Sequence, residues 1–423
     1  LLQSMRGDSE SLKIAVDVLQ KMGKGGMYDV LGGGFARYST DNHWLVPHYE
    51  KMLYDNAQLS RVYLHGWLLT GELQFKKICE ETLDFVAREL RHAQGGFFSS
   101  LDADSEGEEG KFYSWTYTEF QNLLTAPETN LFTVAYDINP AGNFNGKIVL
   151  QRKLSDKELA TQFGVSQQDV KTRLDQIHQQ LFSARSTRCR PTLDDKIIVS
   201  WNALMSISFA EAGRYLNRQD YLTIAQQNTL FLIDNLMEKG RLMRSWREGQ
   251  VKHNAYLEDH AALTMALIEV YQSDGDVTWF HAAKELTKQM MQNFAAPEGG
   301  FFDTRQDHEA LLLRPRNMQD NATPSGSALS AMALLKMAAL EGNAEWRIYA
   351  EALLDQQSEM ISRYPATFSM WLQACDFAIG PVFEAALLGY AQNEAWQNFQ
   401  AAIWSHYRPR IICAASIYPP GEQ

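Results

Sequence analysis

Cysteine is scarce in this sequence of 423 residues, and no two cysteines form a C-x-x-C pair. The four thiols are scattered along the chain at Cys79, Cys189, Cys375 and Cys413. So few and so widely spaced cysteines argue against a disulfide framework and against a structural zinc site. The missing C-x-x-C pair also argues against a dithiol redox function. We therefore predict reduced thiols in a cytoplasmic protein.

Long apolar runs and blocks of one charge are missing as well. No apolar stretch reaches the ~18 residues of a membrane-spanning helix. The net charge is −12 and there is no basic patch, which argues against nucleic acid as the main partner. Hydrophobic residues make up 45% of the chain, as in a folded globular protein. The sequence shows no signal peptide and starts without Met inside a helix-like segment, so we predict that an upstream part is absent.

Helical periodicity dominates what is present. Apolar residues recur at i, i+3, i+4 and i+7 in successive pairs of segments with short connections, which force neighbouring helices to run antiparallel. The predicted helices cover residues 11–22, 49–69, 73–93, 199–216, 219–237, 255–272, 277–295, 327–342 and 344–361, with a short last pair at 380–391 and 394–404.

The connections between the pairs are longer, rich in glycine and aromatic residues, and similar to one another. They include "GGMYDVLGGGFARYSTD" at 25–41, "GGFFSSLDAD" at 95–104 and "GGFFDTRQDH" at 299–308. Recurring helix pairs with such loops stack either as an open solenoid or as a closed ring. Because the pairs are long and irregular and the elaborate loops alternate, we predict a ring. The predicted fold is all-α, an (α/α)6 toroid with short β-hairpin loops on one rim.

The same pattern predicts a single domain over residues 1–423 with a less regular insertion at about 117–183. Within the insertion, residues 143–153 have the composition of a strand or a loop, and an amphipathic helix is predicted around 169–182. The tail at 408–418 has β-type composition.

Two carboxylates at the start of predicted inner helices are the candidate acid–base pair. Asp55 and Asp259 are each followed by an apolar helix face, so each carboxylate must be buried, paired or exposed to a cavity. Two carboxylates in unequal environments can act as acid and base because their pKa values are driven apart. His48 is the candidate that assists proton transfer. In the structural alternative, the carboxylates stabilise the positive end of a helix dipole and the histidine is part of the packing.

Aromatic, polar and charged residues crowd the same loops, and this composition suits a sugar, which has an apolar face and a rim of hydroxyls. The candidate substrate-binding residues are Arg37, Tyr38, Trp44, Glu50, Asp102, Asp104, Asp195, Trp201, Asn202 and His260. In the alternative interpretation, the aromatic residues join the loops to one another, Asp195 caps a helix and Trp201 belongs to the core.

Neither a metal nor a cofactor is predicted. Asp102 and Asp104 begin a stretch that resembles a calcium loop, but residue 113 is tyrosine where the loop requires a bidentate glutamate. No H-x-x-x-H or similar spacing indicates a metal site elsewhere.

Four stretches together resemble the YyaL-like, spermatogenesis-associated family of thioredoxin-domain-containing proteins. They are "GGGFARYSTDNHWLVPHYEKMLYDNAQL" (32–59), "SLDADSEGEEGKFYSW" (100–115), "RPTLDDKIIVSWNAL" (190–204) and "YLEDHAAL" (256–263). In that family a thioredoxin-like domain precedes an (α/α)6 toroid similar to six-hairpin glycosidases and to the N-acylglucosamine 2-epimerase group. The resemblance implies that this chain is the toroid alone. Two residues depart from the family pattern: His260, where an aromatic residue such as tyrosine is expected, and Ser327, where asparagine is expected.

The resemblance implies carbohydrate chemistry but leaves the reaction open. The epimerase group uses histidines to move a proton at the carbon next to a carbonyl, whereas the related hydrolases use carboxylates. We predict acid–base chemistry on a small sugar substrate by Asp55 and Asp259, assisted by His48, with neither nucleic acid nor a membrane as partner. The alternative is a non-catalytic module that binds a sugar or a protein and serves the absent thioredoxin-like domain.

Overall fold

The structure is a computed structural model that describes residues 6–309, 312–389 and 394–417. Its helices are α1 Ser9–Lys24, α2 Leu53–Thr70, α3 Leu73–Glu89, α4 Tyr117–Leu123, α5 Ala126–Tyr136, α6 Asp156–Phe163, α7 Gln167–Arg185, α8 Val199–Leu216, α9 Gln219–Leu236, α10 Leu257–Asp274, α11 Val277–Phe294, α12 Gly326–Glu341, α13 Ala344–Arg363, α14 Ser369–Ile379 and α15 Glu394–Ile403. Its strands are β1 Tyr38–Ser39, β2 Pro47–His48, β3 Lys51–Met52, β4 Ser100–Leu101, β5 Asp104–Ser105, β6 Glu108–Glu109, β7 Leu193–Asp194, β8 Ile197–Ile198, β9 Met237–Glu238, β10 Arg241–Arg247, β11 Gln250–Asn254, β12 Phe383–Gly389 and β13 Ile411–Ile417.

Two layers of helices form a ring. The inner helices α2, α8, α10 and α12 pack side by side, and α14 packs on α12. The outer helices α3, α9, α11 and α13 each pack on the inner helix that precedes them in the ring. Side chains of the five inner helices line one interior cavity: Arg61, Glu211, Glu269, Lys336 and Asp376. The predicted fold class, an α/α toroid of the six-hairpin type, is confirmed.

The two rims of the ring differ because the two kinds of connection differ in length. Four inner helices pass to their outer partners through a tight turn at a residue with left-handed backbone, Gly71, Asn217, Gly275 or Gly342. Glycine and asparagine adopt this conformation at low cost. The long connections run from outer to inner helices, so the elaborate loops gather on the rim where the inner helices begin. The predicted β-hairpin loops on one rim are therefore confirmed.

Short sheets join this rim. The strands β3, β4 and β7 pair in that order, and β8 pairs with the β10–β11 hairpin. The backbone amide of Leu53 donates to the Ser99 carbonyl at 3.0 Å, and that of Leu257 donates to the Asp303 carbonyl at 2.9 Å. The start of an inner helix is thereby tied to the hairpin that follows the next outer helix. This arrangement also corrects one boundary, because α2 begins at Leu53 rather than near Tyr49 once Lys51 and Met52 pair with β4.

The predicted helix at 380–391 is wrong. Residues 383–389 form β12, which pairs in parallel with β13, while residues 390 and 391 lie outside the described residues. A short apolar run fits either secondary structure, and the partner strand more than twenty residues away decides between them. The β-type composition of the tail is confirmed at Ile411–Ile417, whereas Tyr418 is outside the described residues. Helix α14 was not predicted.

The insertion contains four helices, α4 to α7, rather than the one predicted. Each of them begins with a capping box, in which a Ser or Thr side chain and an acidic residue three positions later satisfy each other's backbone amides. This signal was present in the sequence at Thr116, Thr125, Ser155 and Ser166. The helices enclose their own apolar cluster around Phe120, Phe132 and Ile177, all less than 2% exposed.

Candidate active site

The candidate site lies on the loop-bearing rim, in the first turns of the inner helices. Asp55, Trp201 and Asp259 are each the third residue of an inner helix, α2, α8 and α10. Trp201 packs edge-on against Tyr54, with ring centroids 4.8 Å apart, so neighbouring inner helices meet at this level. The repeat therefore presents the two predicted carboxylates at equivalent positions, with the indole on the helix between them.

Asp55 is a partly buried carboxyl with an unsatisfied oxygen. Its Oδ2 is buried and has no hydrogen-bond partner in the described parts of the chain. Burial raises the pKa of Asp55 to about 7; the positive charge of Arg37 opposes this shift and the negative charge of Glu50 adds to it. The Asp55 carboxyl can therefore both release and accept a proton near neutral pH.

Arg37 and Glu50 are the charged loop residues whose fields act on Asp55. The Arg37 side chain donates from Nη1 to Glu50 Oε2 at 3.1 Å, and its backbone amide donates to the Glu50 carbonyl at 2.8 Å. Burial raises the pKa of the neighbouring Tyr54 hydroxyl, and the negative charge of Asp55 adds to this effect. The guanidinium and the phenol thus stand beside a carboxyl that can be neutral.

His48 contacts Glu50 and Glu109 rather than Asp55 itself. Its Nδ1 is 2.7 Å from Glu109 Oε1, and its Nε2 is 3.6 Å from Glu50 Oε2. The ring of Tyr38 stacks on the imidazole, with centroids 5.1 Å apart. His48 therefore reaches the surroundings of Asp55 through Glu50. Trp44 takes part by its backbone, since its carbonyl accepts a hydrogen bond from Gly26 at 2.8 Å.

Asp259 is fully buried, and both of its oxygens have donors. Oδ1 accepts from the Ser200 amide at 3.0 Å, while Oδ2 accepts from Tyr256 N and from Arg244 Nη1, each at 2.9 Å. These bonds join α8, β10 and the start of α10, so they give the Asp259 carboxylate a structural role. Asp259 is buried behind these three donors, so a substrate reaches its oxygens only by displacing one of them.

Glu258, the preceding residue, is the carboxyl that faces open space. Its Oε1 accepts from Arg244 Nη1 at 2.7 Å, so Glu258 and Asp259 share one guanidinium. Burial and the negative charge of Asp259 raise the pKa of Glu258, against the effect of Arg244. Glu258, Arg244, Tyr256 and Asp303 line a pocket of about 400 Å³ at the start of α10 and α12. Burial also raises the pKa of Asp303.

Asn202 and His260 are anchors behind the rim. The side-chain amide of Asn202 accepts from Phe97 N at 2.7 Å and donates to Phe97 O at 2.9 Å, which clamps the glycine-rich hairpin. Asn56, the fourth residue of α2, clamps Phe35 in the same way. His260 is the fourth residue of α10, with Nδ1 3.1 Å from the Tyr256 carbonyl.

Asn202 and His260 are both fully buried. Burial lowers the pKa of His260 to about 4, so the ring is neutral at neutral pH. These positions do not support the prediction that the two residues bind substrate.

The remaining predicted residues, Asp102, Asp104 and Asp195, lie in the strands and loops of the rim. Asp102 and Asp104 are exposed beside the β5–β6 hairpin, where the Asp104 amide donates to Asp102 Oδ1 at 3.2 Å. Asp195 pairs with Arg247 at 2.7 Å. Within the described ranges, no cluster of three or more His, Cys, Asp or Glu residues could hold a metal ion. No helix in those ranges is long and apolar enough to cross a membrane.

The sequence reasoning missed Glu258, Arg244, Tyr54 and Asp303. A signal existed for two of them, because Tyr54 and Glu258 are both the second residue of an inner helix and directly precede the two predicted carboxylates. Arg244 carries no such signal, since only the β10 strand brings it to α10.

Comparison with known proteins identifies relatives in sequence and solved structures with a similar course of the backbone. The chain matches no protein-family model. It is 32% identical to spermatogenesis-associated protein 20 of Homo sapiens over 96% of this chain and 56% of that protein. It is 29% identical to an uncharacterised protein of Caenorhabditis elegans over 85% of this chain and 54% of that protein. The chain thus spans about half the length of the curated relatives it matches.

Solved structures with a similar path have low sequence identity. The unsaturated glucuronyl hydrolase from Bacillus sp. GL1 is 12% identical, with a TM-score of 0.42 over 71% of this chain and 62% of that chain. The cellobiose 2-epimerase from Spirochaeta thermophila is 12% identical, with a TM-score of 0.37 over 83% of this chain and 86% of that chain. A D-mannose isomerase is 11% identical, with a TM-score of 0.37 over 82% of this chain and 85% of that chain.

Proposed function

We propose that this chain is a carbohydrate-active toroid that acts on a sugar by acid–base chemistry. Over 96% of its own length the chain is homologous to spermatogenesis-associated protein 20. The observation that supports the proposal most is the Asp55 carboxyl, with a buried oxygen that has no partner among the described residues and a pKa raised to about 7. A carboxyl with these properties on the open rim of a ring is typical of a functional site.

In the proposed mechanism, Asp55 moves the proton. Its Oδ2 either protonates a glycosidic oxygen or exchanges a proton with the carbon next to a sugar carbonyl. Arg37 and the hydroxyl of Tyr54 hold the sugar hydroxyls or the carbonyl oxygen. His48 acts through Glu50, whose charge contributes to the raised pKa of Asp55.

Glu258 takes the second acid–base role in place of Asp259. Its pKa is raised, and it lines the pocket of about 400 Å³. Asp259 is then a positioning residue, because it holds the Arg244 guanidinium that also binds Glu258. Epimerisation or isomerisation and glycoside hydrolysis both remain open, since each requires two groups that exchange protons.

One observation favours the alternative, a non-catalytic module that binds a sugar or a protein beside a thioredoxin-like domain. Asp259, the repeat equivalent of Asp55, is committed to structural hydrogen bonds, so the ring does not present the two equivalent carboxylates as a free pair. In such a module, the same pocket would bind its ligand without turnover.

Proton NMR in D2O distinguishes these functions. The protein is incubated with hexoses, N-acylhexosamines and simple glycosides, as wild type, as Asp55→Asn and as Asp234→Asn, a matched change at an exposed carboxylate of α9. If the signal of the proton on the carbon next to the carbonyl disappears and new sugar peaks appear, the protein is an epimerase or isomerase. New signals from reducing-end anomeric protons identify a hydrolase. We expect Asp55→Asn to lower turnover at least 100-fold and Asp234→Asn to leave it unchanged. Line broadening of a sugar without any turnover by the wild type would establish the non-catalytic module instead.

A further inference from the structure

A second pocket lies outside the ring, behind β3. Its volume is about 200 Å³, and its lining comes from the glycine-rich loop at Asp29 and Gly32, from α3, from α7 and from the segment before β7. Glu50, which precedes β3, and Lys51, its first residue, have their side chains on opposite sides: Glu50 bonds Arg37 at the rim, and Lys51 bonds Asp29. We call this space the Lys51 pocket.

Two cations share one carboxylate at the base of the Lys51 pocket. Lys51 donates from Nζ to Asp29 Oδ2 and to the Gly33 carbonyl, both at 2.9 Å. Arg185 forms a bidentate pair with the same carboxylate, with both N–O distances 2.8 Å. Lys51 is 2% exposed and Arg185 is 3% exposed. The base therefore holds one positive charge more than Asp29 neutralises.

The mouth of the pocket repeats this imbalance. Arg88 and Arg190 both pair with Glu89, Arg88 from Nε at 2.8 Å. With the base, four cations face two carboxylates in one lining. Lys51 and Arg185 are buried and attract an anion strongly because little water screens them, whereas Arg88 and Arg190 are exposed and add a weaker, screened attraction.

The two buried cations of the lining, Lys51 and Arg185, have donors without partners among the described residues. Arg185 Nε is buried and has no hydrogen-bond partner in the described segments. Lys51 has three N–H donors, and two acceptors are recorded for them among the described residues. Buried donors are nearly always satisfied in folded proteins, so a donor left over beside a cavity indicates a missing acceptor.

Aromatic rings form the walls. Lys51 Nζ lies 4.4 Å from the ring centre of Phe85 and 4.8 Å from that of Tyr113. The Arg88 guanidinium lies over Phe182, 5.0 Å from its centre. Leu193 also lines the pocket. These walls suit a flat apolar body rather than a hydrated ion.

We propose that the Lys51 pocket binds a small aromatic carboxylate, with its carboxylate beside Lys51 and Arg185 at the base and its ring against the lining that includes Leu193, while the exposed Arg190 at the mouth adds to the attraction. The volume is below the roughly 300–1,000 Å³ of pockets for drug-sized ligands, so the ligand has about ten heavy atoms. This site is separate from the Asp55 site and does not depend on the proposed function.

The test uses isothermal titration calorimetry of the whole chain with benzoate, with its neutral analogue benzamide and with inorganic phosphate. We expect saturable binding of benzoate, with benzamide and phosphate each at least tenfold weaker, because the pocket requires both the charge and the ring. Equal affinity for benzamide would overturn the role of the cations. Equal affinity for phosphate would overturn the role of the aromatic walls, and absence of benzoate binding would overturn the proposal as a whole.

Two variants locate the binding. Leu193→Trp fills the pocket and should abolish benzoate binding. Arg190→Gln removes an exposed cation at the mouth and should weaken binding at least threefold without affecting folding. The matched control is Arg173→Gln, an exposed arginine of α7 away from the pocket, which should bind as the wild type does. Unchanged binding by both Leu193→Trp and Arg190→Gln, with native circular dichroism, would place benzoate elsewhere and refute the proposal.

Discussion

Asp55 and Asp259 are both the third residue of an inner helix, but only Asp259 has a hydrogen-bond donor for each of its oxygens within the described structure. The difference arises from their neighbours. Asp259 is met by the Ser200 amide of α8 and by Arg244 of β10, whereas the indole of Trp201 and the phenol of Tyr54 occupy the rim between α2 and α8. The third residue of the inner helix thus has a structural role in α10, whereas in α2 one of its carboxyl oxygens is left without a partner among the described residues.

Asp55→Asn should stabilise the protein at alkaline pH. The folded-state pKa of Asp55, about 7, exceeds its ordinary value of 3.8, so the native state retains the proton longer than the unfolded state. Stability is therefore lost as pH rises from about 4 through about 7, by roughly 2–4 kcal/mol in total. Urea unfolding at pH 5 and pH 8 should show the advantage of the variant growing with pH. A variant less stable than the wild type at pH 8 would mean that Asp55 has a structural partner.

Asp259→Asn should have the opposite effect. The amide can accept at one oxygen only, so at least one of the donors Ser200 N, Tyr256 N and Arg244 loses its partner in a buried place. We expect a loss of about 3–5 kcal/mol of unfolding free energy at pH 7, as for other broken buried ion pairs. Chemical denaturation measures it. A loss below about 1 kcal/mol would show that Asp259 is not the tie between α8, β10 and α10.

Asn202→Ala should loosen the hairpin that Phe97 belongs to. The change leaves Phe97 N, Phe97 O and the Ile198 carbonyl without the amide that bonds them. The expected cost is about 2–4 kcal/mol, because each buried backbone group left unsatisfied costs about 1–3 kcal/mol and the groups relax in part. Asn235→Ala, at an exposed position of α9, is the control and should cost less than about 1 kcal/mol. Thermal unfolding of the two variants gives the comparison.

His260→Asn should make the protein more resistant to acid. In the native state the pKa of His260 is about 4, whereas its ordinary value is 6.5. As the pH falls, the imidazole therefore takes up its proton in the unfolded state before it does so in the native state. The wild type therefore loses stability as pH falls from about 6.5 to about 4, by about 2 kcal/mol at pH 5. The amide of Asn202 shows that asparagine fits the equivalent position of α8. Urea unfolding at pH 7 and pH 5 should show a smaller difference for the variant than for the wild type, and equal differences would exclude His260 as an acid-sensitive group.

The periodicity of the sequence predicted the inner and outer helices other than α14 because each of them carries an apolar face that is visible within one segment. Segments α8 and α10 to α13 lie within a few residues of their predicted bounds. Two of the failures fall where a partner distant in sequence decides the structure, whereas helices α4 to α6 were missed although their capping boxes are local signals. Residues 383–389 become a strand because 411–417 pair with them, and α2 starts late because β4 takes the residues before it.

The candidate site shows the same distinction between local features and features that depend on distant partners. The sequence alone placed Asp55 and Asp259 at the starts of inner helices, since helix position is a local property that spacing and composition reveal. Only the tertiary structure decided that Asp259 pairs with Arg244 while an oxygen of Asp55 stays without a partner among the described residues. The reason is that hydrogen bonding and desolvation, which set the pKa of a carboxyl, depend on side chains brought together from other helices and strands.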